Sequence, residues 1–140
     1  LYHILQEQIT SLGLEKQVKL CGRGENMMEI YPNYSLHIMS SRYEGQGIVM
    51  LEAQACGLPS VTFNFKYGAS DIIQNEYNGL IVTQDNQNAF TEAITKLISN
   101  SHLRKELGIH ALETGDKYDK SNIFKKWEDI LTTIQHQLIL

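Results

Sequence analysis

The sequence predicts an α/β domain in which a parallel β-sheet is covered by helices on both faces. Three observations carry that expectation. Short apolar runs of strand length alternate with longer segments of helical spacing, the order in which parallel strands and their covering helices follow one another. Glycine and proline punctuate the boundaries, at Gly13, Gly22, Pro32, Gly57-Leu58-Pro59 and Asn78-Gly79. The run Ser35–Met39 leads into a Gly-x-Gly loop, Gly45-Gln46-Gly47, that opens a helix at Ile48. Ligands collect at such an edge, outside the carboxyl ends of the strands.

Leu1, Ile4, Leu5, Ile9 and Leu12 give one helical face with Gly13 as its stop. Val18-Lys19-Leu20-Cys21 reads as a short strand ending at Gly22. Glu25–Tyr31 reads as a short helix closed by Pro32, with Met27, Met28 and Ile30 on its buried side and the methionines as core filler. Ser35–Met39 is the next strand. His37 within it reads as a satisfied core or edge residue, not a catalytic base. His3, His102, His110 and His136 lie on predicted helices without ligand spacing, so nothing supports a metal site.

Ser60–Phe65 carries Val61, Phe63 and Phe65 in strand-like alternation. Lys66–Ser70 is a loop, and Ser70 or Asp71 is placed to cap a short helix through Asn75. Asn78-Gly79 is a turn, and Leu80-Ile81-Val82 a buried strand. Three helical stripes follow: Phe90, Ala93, Ile94, Leu97 and Ile98; Leu103, Leu107, Ile109 and Leu112; Phe124, Trp127, Ile130, Leu131, Ile134 and Leu138. Each is expected to face the core, with the alternative for the third that part of the Trp127 stripe is exposed where a neighbouring domain to cover it is missing.

A chain of 140 residues, 42% of them hydrophobic, is enough for one domain and too short for two. A net charge of -4 and a pI near 5.7 argue against a nucleic-acid surface or a broad anionic-membrane surface. Cys21 and Cys56 lack C-x-x-C spacing, and their apolar contexts predict buried free thiols in a reducing compartment. With no signal peptide and no apolar run of spanning length, the expectation is a soluble, cytoplasmic protein.

The stretch most suited to chemistry is Ser40–Pro59. Gly45 and Gly47 let the backbone approach a ligand closely and can take positive φ. The first amides of the following helix lack intrahelical partners and favour an anion. Glu44 lies on the loop and Glu52 on the helix wall, so the pair can accept hydrogen bonds from a hydroxyl-rich ligand. Taken alone, the stretch leaves a second reading open, in which the glycines serve the turn and the acids only solvate the loop and the first helical turn.

Three motifs in order resemble the retaining glycosyltransferases of family 4 (group 1), which have the GT-B fold. Glu44, seven residues, and Glu52 are followed by Ala53, Ala55, Gly57 and Pro59 in the family's Ala-x-Ala-x-Gly-x-Pro pattern. Tyr67-Gly68-Ala69-Ser70-Asp71-Ile72-Ile73 and Asn78-Gly79-Leu80-Ile81-Val82 are similar to its next two landmarks. The resemblance implies the Rossmann-like C-terminal half of a GT-B fold. It implies a nucleotide-sugar donor, with Glu44 at the sugar hydroxyls near the reacting carbon and Glu52 at the ribose. The backbone at Gly45, Gln46, Gly47 and Ile48 would face the sugar and pyrophosphate, where charge grows as the leaving group departs. Front-face attack, without a metal or cofactor, would retain configuration.

The resemblance also implies partners. A carbohydrate or lipid-linked acceptor would be held by an N-terminal domain outside this chain, and peripheral membrane association of the whole enzyme fits a lipid-linked acceptor. The chain begins inside a helix, past the family's basic diphosphate pair, and Arg23, Arg42 and Lys66 do not match that spacing. The expectation is a donor domain truncated at its N-terminal side and inactive alone. Gln46 replaces a frequent aromatic, and Tyr67-Gly68-Ala69 replaces a common Tyr-Gly-Pro. An epimerase-like GT-B enzyme and a non-catalytic nucleotide-binding module remain the alternatives.

Overall fold

In the computed structural model, which describes residues 1–138, the expected α/β order is present. It runs α1 (Tyr2–Ser11), α2 (Met27–Ile30) with a 3-10 turn over Tyr31–Asn33, β1 (His37–Met39), α3 (Ile48–Ala55), β2 (Ser60–Phe63) and α4 (Ala69–Ile72). It continues through β3 (Gly79–Val82), α5 (Gln87–Ser99), α6 (Ser101–Lys117) and α7 (Lys120–Leu138). The three strands are parallel in the order β1-β2-β3, with Ser60 opposite both His37 and Gly79. All four residues of the central β2 are buried, because a parallel strand covered on both faces has no polar side. The alternation of Val61, Phe63 and Phe65 is therefore not what organises it, and Phe65 lies beyond its end.

The core forms on both faces of the sheet. Met39, Met50, Phe65, Ala69, Ile72 and Ile73 pack together toward α3 and α4, while Val61, Phe63, Leu80, Val82, Leu97 and Leu107 pack toward α5 and α6. Phe90 stacks on Phe63 with ring centroids 4.3 Å apart. Gln54, fully buried on α3, brings Nε2 to the carbonyls of Leu58 (3.1 Å) and Asn78 (3.2 Å) and to Ser60 Oγ (3.3 Å). Asn78 in turn donates to Ile72 O and Thr114 Oγ1, both at 2.9 Å, and accepts from the Gln74 amide at 2.8 Å. This buried polar network ties α3 and α6 to the starts of β2 and β3 through the Gln54 and Asn78 amide groups, while Gln54 Oε1 is left without a hydrogen-bond partner among the described residues.

Several sequence expectations are corrected. Val18–Cys21 is not a strand; it runs as irregular chain with Val18 exposed, since no neighbouring strand among the described residues supplies a ladder. The helix expected over Glu25–Tyr31 starts at Met27, and Pro32 does not close it but enters the 3-10 turn, whose φ a proline ring already satisfies. Met28 and Ile30 are exposed; Tyr31 is the buried residue, packed with Ala53 and Leu58. No side chain caps α4: Gly68 is its N-cap, and the helix ends at Ile72, not Asn75. Asn75 Oδ1 instead accepts from the Ile81 amide at 2.9 Å.

Burial also departs from the expected stripes. On α6 the buried side is Leu107, Gly108, Ala111, Thr114 and Gly115, whereas Ile109 and Leu112 are exposed, as is Ile98 on α5. The small residues let α6 lie close against α3; a Cβ on Gly108 would stand 2.8 Å from the Gly57 carbonyl oxygen. On α1 only Ile9 is buried. The α7 stripe is not core: Phe124, Trp127, Ile130, Leu131 and Ile134 are all exposed, while the side chain of Leu138 lies outside the described residues. Nor are the thiols buried as expected, since Cys21 is exposed and Cys56 half-buried, both free. No helix among the described residues is long and apolar enough to cross a membrane.

His37 is the satisfied edge residue that the sequence predicts. Its Nδ1 lies 3.1 Å from Ser60 Oγ, and its ring meets Tyr31 edge-on. Burial lowers its pKa to about 4. Between pH 6.5 and 4 the unfolded chain binds a proton here that the folded chain does not, so stability is full above that window and falls as pH drops through it. For a half-buried ring the loss is about 2–3 kcal/mol, a slope of at most about 1.4 kcal/mol per pH unit. Urea unfolding at pH 7, 5.5 and 4 should show a shallower pH dependence in His37→Gln than in wild type; superimposable profiles would rule the assignment out.

Candidate functional site

The loops after the three strands meet at the C-terminal edge of the sheet. The first, residues 40–47, turns sharply into α3 at Gly47, which has φ 71° and ψ 42° as N-cap. The conformation is left-handed and the space is filled: a Cβ there would stand 2.6 Å from Met50 Cε and 3.6 Å from Phe65. Glycine is the residue that accepts both constraints at once. Gly45 is different. It does not have positive φ, contrary to expectation, and a Cβ on it would meet nothing within 4 Å, so the fold does not demand glycine there.

No side chain caps α3. Its leading amides at Ile48 and Val49 therefore face outward without a built-in acceptor, the condition under which a helix N-terminus attracts an anion. Glu44 is half-buried in the loop, while Gly45 and Gln46 are exposed. Ile48 and Val49 are exposed apolar residues on the same side of α3 as Glu52, one turn further along. Glu52 is half-buried beside Tyr31 and Cys56; after desolvation, its negative charge is a further cause that raises the pKa of both the phenol and the thiol. Tyr31 donates to the Val49 carbonyl at 3.4 Å. Next to it, a groove of about 550 Å3 runs along the β1 edge, lined by Gly22, Gly24, Tyr31 and His37.

The second loop, residues 64–68, locks onto the first. Gly68 has φ 100°, and a Cβ on it would stand 2.6 Å from the Gln46 carbonyl oxygen. The third loop joins through Arg42 Nε, which donates to Asp85 Oδ1 at 3.1 Å. The sequence brings Glu44, Gly45, Gln46, Gly47, Ile48 and Glu52 to one edge. It does not reveal Gly68 as the brace of that loop, nor the Arg42–Asp85 pair. Gly68 was visible as a loop residue and as part of a motif but not as a brace, because the partner it must avoid is 22 positions away. Asp71 is exposed on α4, and its carbonyl accepts from Tyr118 at 3.3 Å. No group of three or more His, Cys, Asp or Glu able to hold a metal exists among the described residues.

This arrangement can hold an anion on backbone amides between two hydroxyl-accepting carboxylates. Residues 2–114 match the family model described as glycosyl transferases group 1. Poly(ribitol-phosphate) alpha-N-acetylglucosaminyltransferase of Staphylococcus aureus is 32% identical over 130 residues, covering 92% of this chain and 26% of the relative. The amylovoran biosynthesis glycosyltransferase AmsD of Erwinia amylovora is also 32% identical, covering 91% of this chain and 36% of its own length. A crystal structure of Anabaena HepE in complex with UDP superposes with a TM-score of 0.85 at 25% identity, over 94% of this chain and 36% of that one. This chain thus spans about a quarter to a third of the length of these relatives. A match over most of its residues, on the same fold, makes it a member of the group 1 glycosyl transferases, with a GT-B fold.

Proposed function

We propose that this chain is the donor-binding domain of a retaining glycosyltransferase that takes a nucleotide-diphosphate sugar, with uridine favoured, and builds a cell-surface polysaccharide or glycolipid. The observation that carries the reading is the uncapped N-terminus of α3, set behind Gly47 and flanked by Glu44 and Glu52. The amides would take the diphosphate without a metal ion or cofactor. Glu52, beside the Tyr31-lined groove, would take the ribose hydroxyls, and Glu44 the sugar. Relatives named for polyol-phosphate and exopolysaccharide glycosylation, and a neighbour holding UDP, support that class of donor and product. An acceptor-binding domain would complete the enzyme, which would work in the cytoplasm or at the membrane face bordering it.

The test is nucleotide binding. Calorimetric titration of UDP should give saturable binding, and Glu52→Ala should weaken it by about 1–3 kcal/mol, the worth of a lost hydrogen bond to a charged group. Unchanged UDP affinity in the variant would remove Glu52 from the site, and a wild-type chain that does not bind UDP would remove the donor reading.

A further inference from the structure

The apolar contacts of α3 hold its rotation about the helix axis loosely. Its fully buried apolar residues are Met50, which is flexible, and Ala53, which is small. Small residues also meet where α3 faces α6, since a Cβ on Gly115 would overlap the Ala55 backbone, and small residues raise only shallow ridges to key one helix into another. Gln54 supplies the directional contact. Its Nε2 reaches Leu58 O, Ser60 Oγ and Asn78 O at 3.1, 3.3 and 3.2 Å, acceptors on the chain leaving α3 and at the starts of β2 and β3. Stability alone would not select this carboxamide, because its Oε1 is buried without a partner among the described residues, and an unpaired buried acceptor is unfavourable. Hydrogen bonds weaken steeply with angle, so they fix a rotation that apolar contacts leave free.

We infer that Gln54 is a positioning residue that sets the roll of α3 and thereby the place of Glu52 at the ligand. The inference rests on the donor-site reading above. Two residues apart, the side chains project about 200° from one another around the helix, Gln54 into the core and Glu52 to the half-buried side near Tyr31. At a side-chain radius of about 5–6 Å, a roll of about 10° carries the carboxylate about 1 Å, while the amides of Ile48 and Val49, near the Cα radius of about 2.3 Å, move about 0.4 Å. A misplacement of about 1 Å can cost about 100-fold in rate. Glu52 is therefore the group that the tether serves.

Calorimetric titration of UDP tests this with Gln54→Met, which keeps the length of the side chain and removes its directional bonds. UDP affinity should fall at least fivefold, and by no more than in Glu52→Ala. Added to Glu52→Ala, the same substitution should change affinity less than twofold, since the group being positioned is already gone. Leu97→Ala, which opens a cavity on the opposite face of the sheet, should lower the Tm and leave UDP affinity within twofold of wild type. An affinity within twofold of wild type in Gln54→Met, a loss that persists in full beside Glu52→Ala, or an equal loss in Leu97→Ala would overturn the inference. If Gln54→Met does not fold, Ser60→Ala, which deletes one acceptor, is read by the same criteria in its place. A wild-type chain that does not bind UDP removes the donor reading, and the Tyr31 phenol then decides the positioning role. Burial and, after it, the Glu52 charge raise the pKa of that phenol, so NMR titration of the Tyr31 Cζ resonance should give a lower pKa in Gln54→Met as Glu52 moves away. A lowered pKa keeps the role, and an unchanged one overturns it.

Discussion

Glu44→Gln, in an enzyme that joins this domain to its acceptor-binding partner, should lower kcat about 100- to 1,000-fold, equivalent to about 3–4 kcal/mol of transition-state stabilisation. The substitution keeps the size of the side chain and removes its charge. In the proposed complex Glu44 meets the sugar, where positive character grows as the bond to diphosphate breaks, so the carboxylate contributes more in the transition state than in the ground state. UDP lacks the sugar, and its affinity should change less than twofold. Steady-state kinetics with parallel calorimetry read the two quantities apart. Normal turnover would take Glu44 out of the chemistry, and equal losses in kcat and UDP affinity would mean that the loop itself has moved. Should the wild-type enzyme bind UDP yet transfer no sugar to any acceptor, the domain is a non-catalytic nucleotide-binding module.

The edge that carries these residues was legible from the sequence because its signals are local. A Gly-x-Gly turn, a helix opening at Ile48 and the stop at Gly57-Leu58-Pro59 are each read within a few residues, and the structure places Gly57 at φ 74° just past the helix end. The parallel sheet was legible from the alternation of elements. What failed needed knowledge of a neighbour. Val18–Cys21 has the composition of a strand, but a strand exists only where another supplies its hydrogen bonds. Ile109 and Leu112 fit an apolar stripe on α6, yet α6 turns its small residues inward because α3 lies too near for larger ones. One such signal could have been read: Gly108, Ala111 and Gly115 fall on one helical face. Trp127 and its stripe on α7 obey helical spacing, which reports amphipathicity and does not say what covers the apolar side.

Gln54 shows how the site gains rigidity from residues that never face it. A glutamine on the inner side of a helix reads in the sequence as a break in the apolar pattern. In the structure it fastens α3 to Leu58, Ser60 and Asn78, so the helix that aims its amides at the ligand is fixed to the strands beneath. The loop before α3 has no buried bonds of that kind; its one side-chain tie is the exposed Arg42–Asp85 pair, and it depends on Gly47 and on the approach of Gly68.

That dependence makes Gly68→Ala the most damaging single-methyl change expected at this edge. Two effects add. At φ 100° a side chain is strained whatever the space around it, and the new Cβ would stand 2.6 Å from the carbonyl oxygen of Gln46 and 3.0 Å from its carbonyl carbon, atoms of backbone that cannot rotate away. Strain of this kind and steric overlap each contribute about 1–3 kcal/mol, so the variant should lose roughly 3 kcal/mol of stability, or shed the strain by displacing residues 45–47. The second route predicts a protein that is nearly as stable and no longer binds UDP, because the amides of Ile48 and Val49 would lose their aim. Urea unfolding and UDP calorimetry on the same sample distinguish the two routes. A variant with wild-type stability and wild-type UDP affinity would show that the second loop does not brace the first. A Gly45→Ala control, at a position with open space and no positive φ, should leave stability within about 0.5 kcal/mol, as for ordinary surface substitutions.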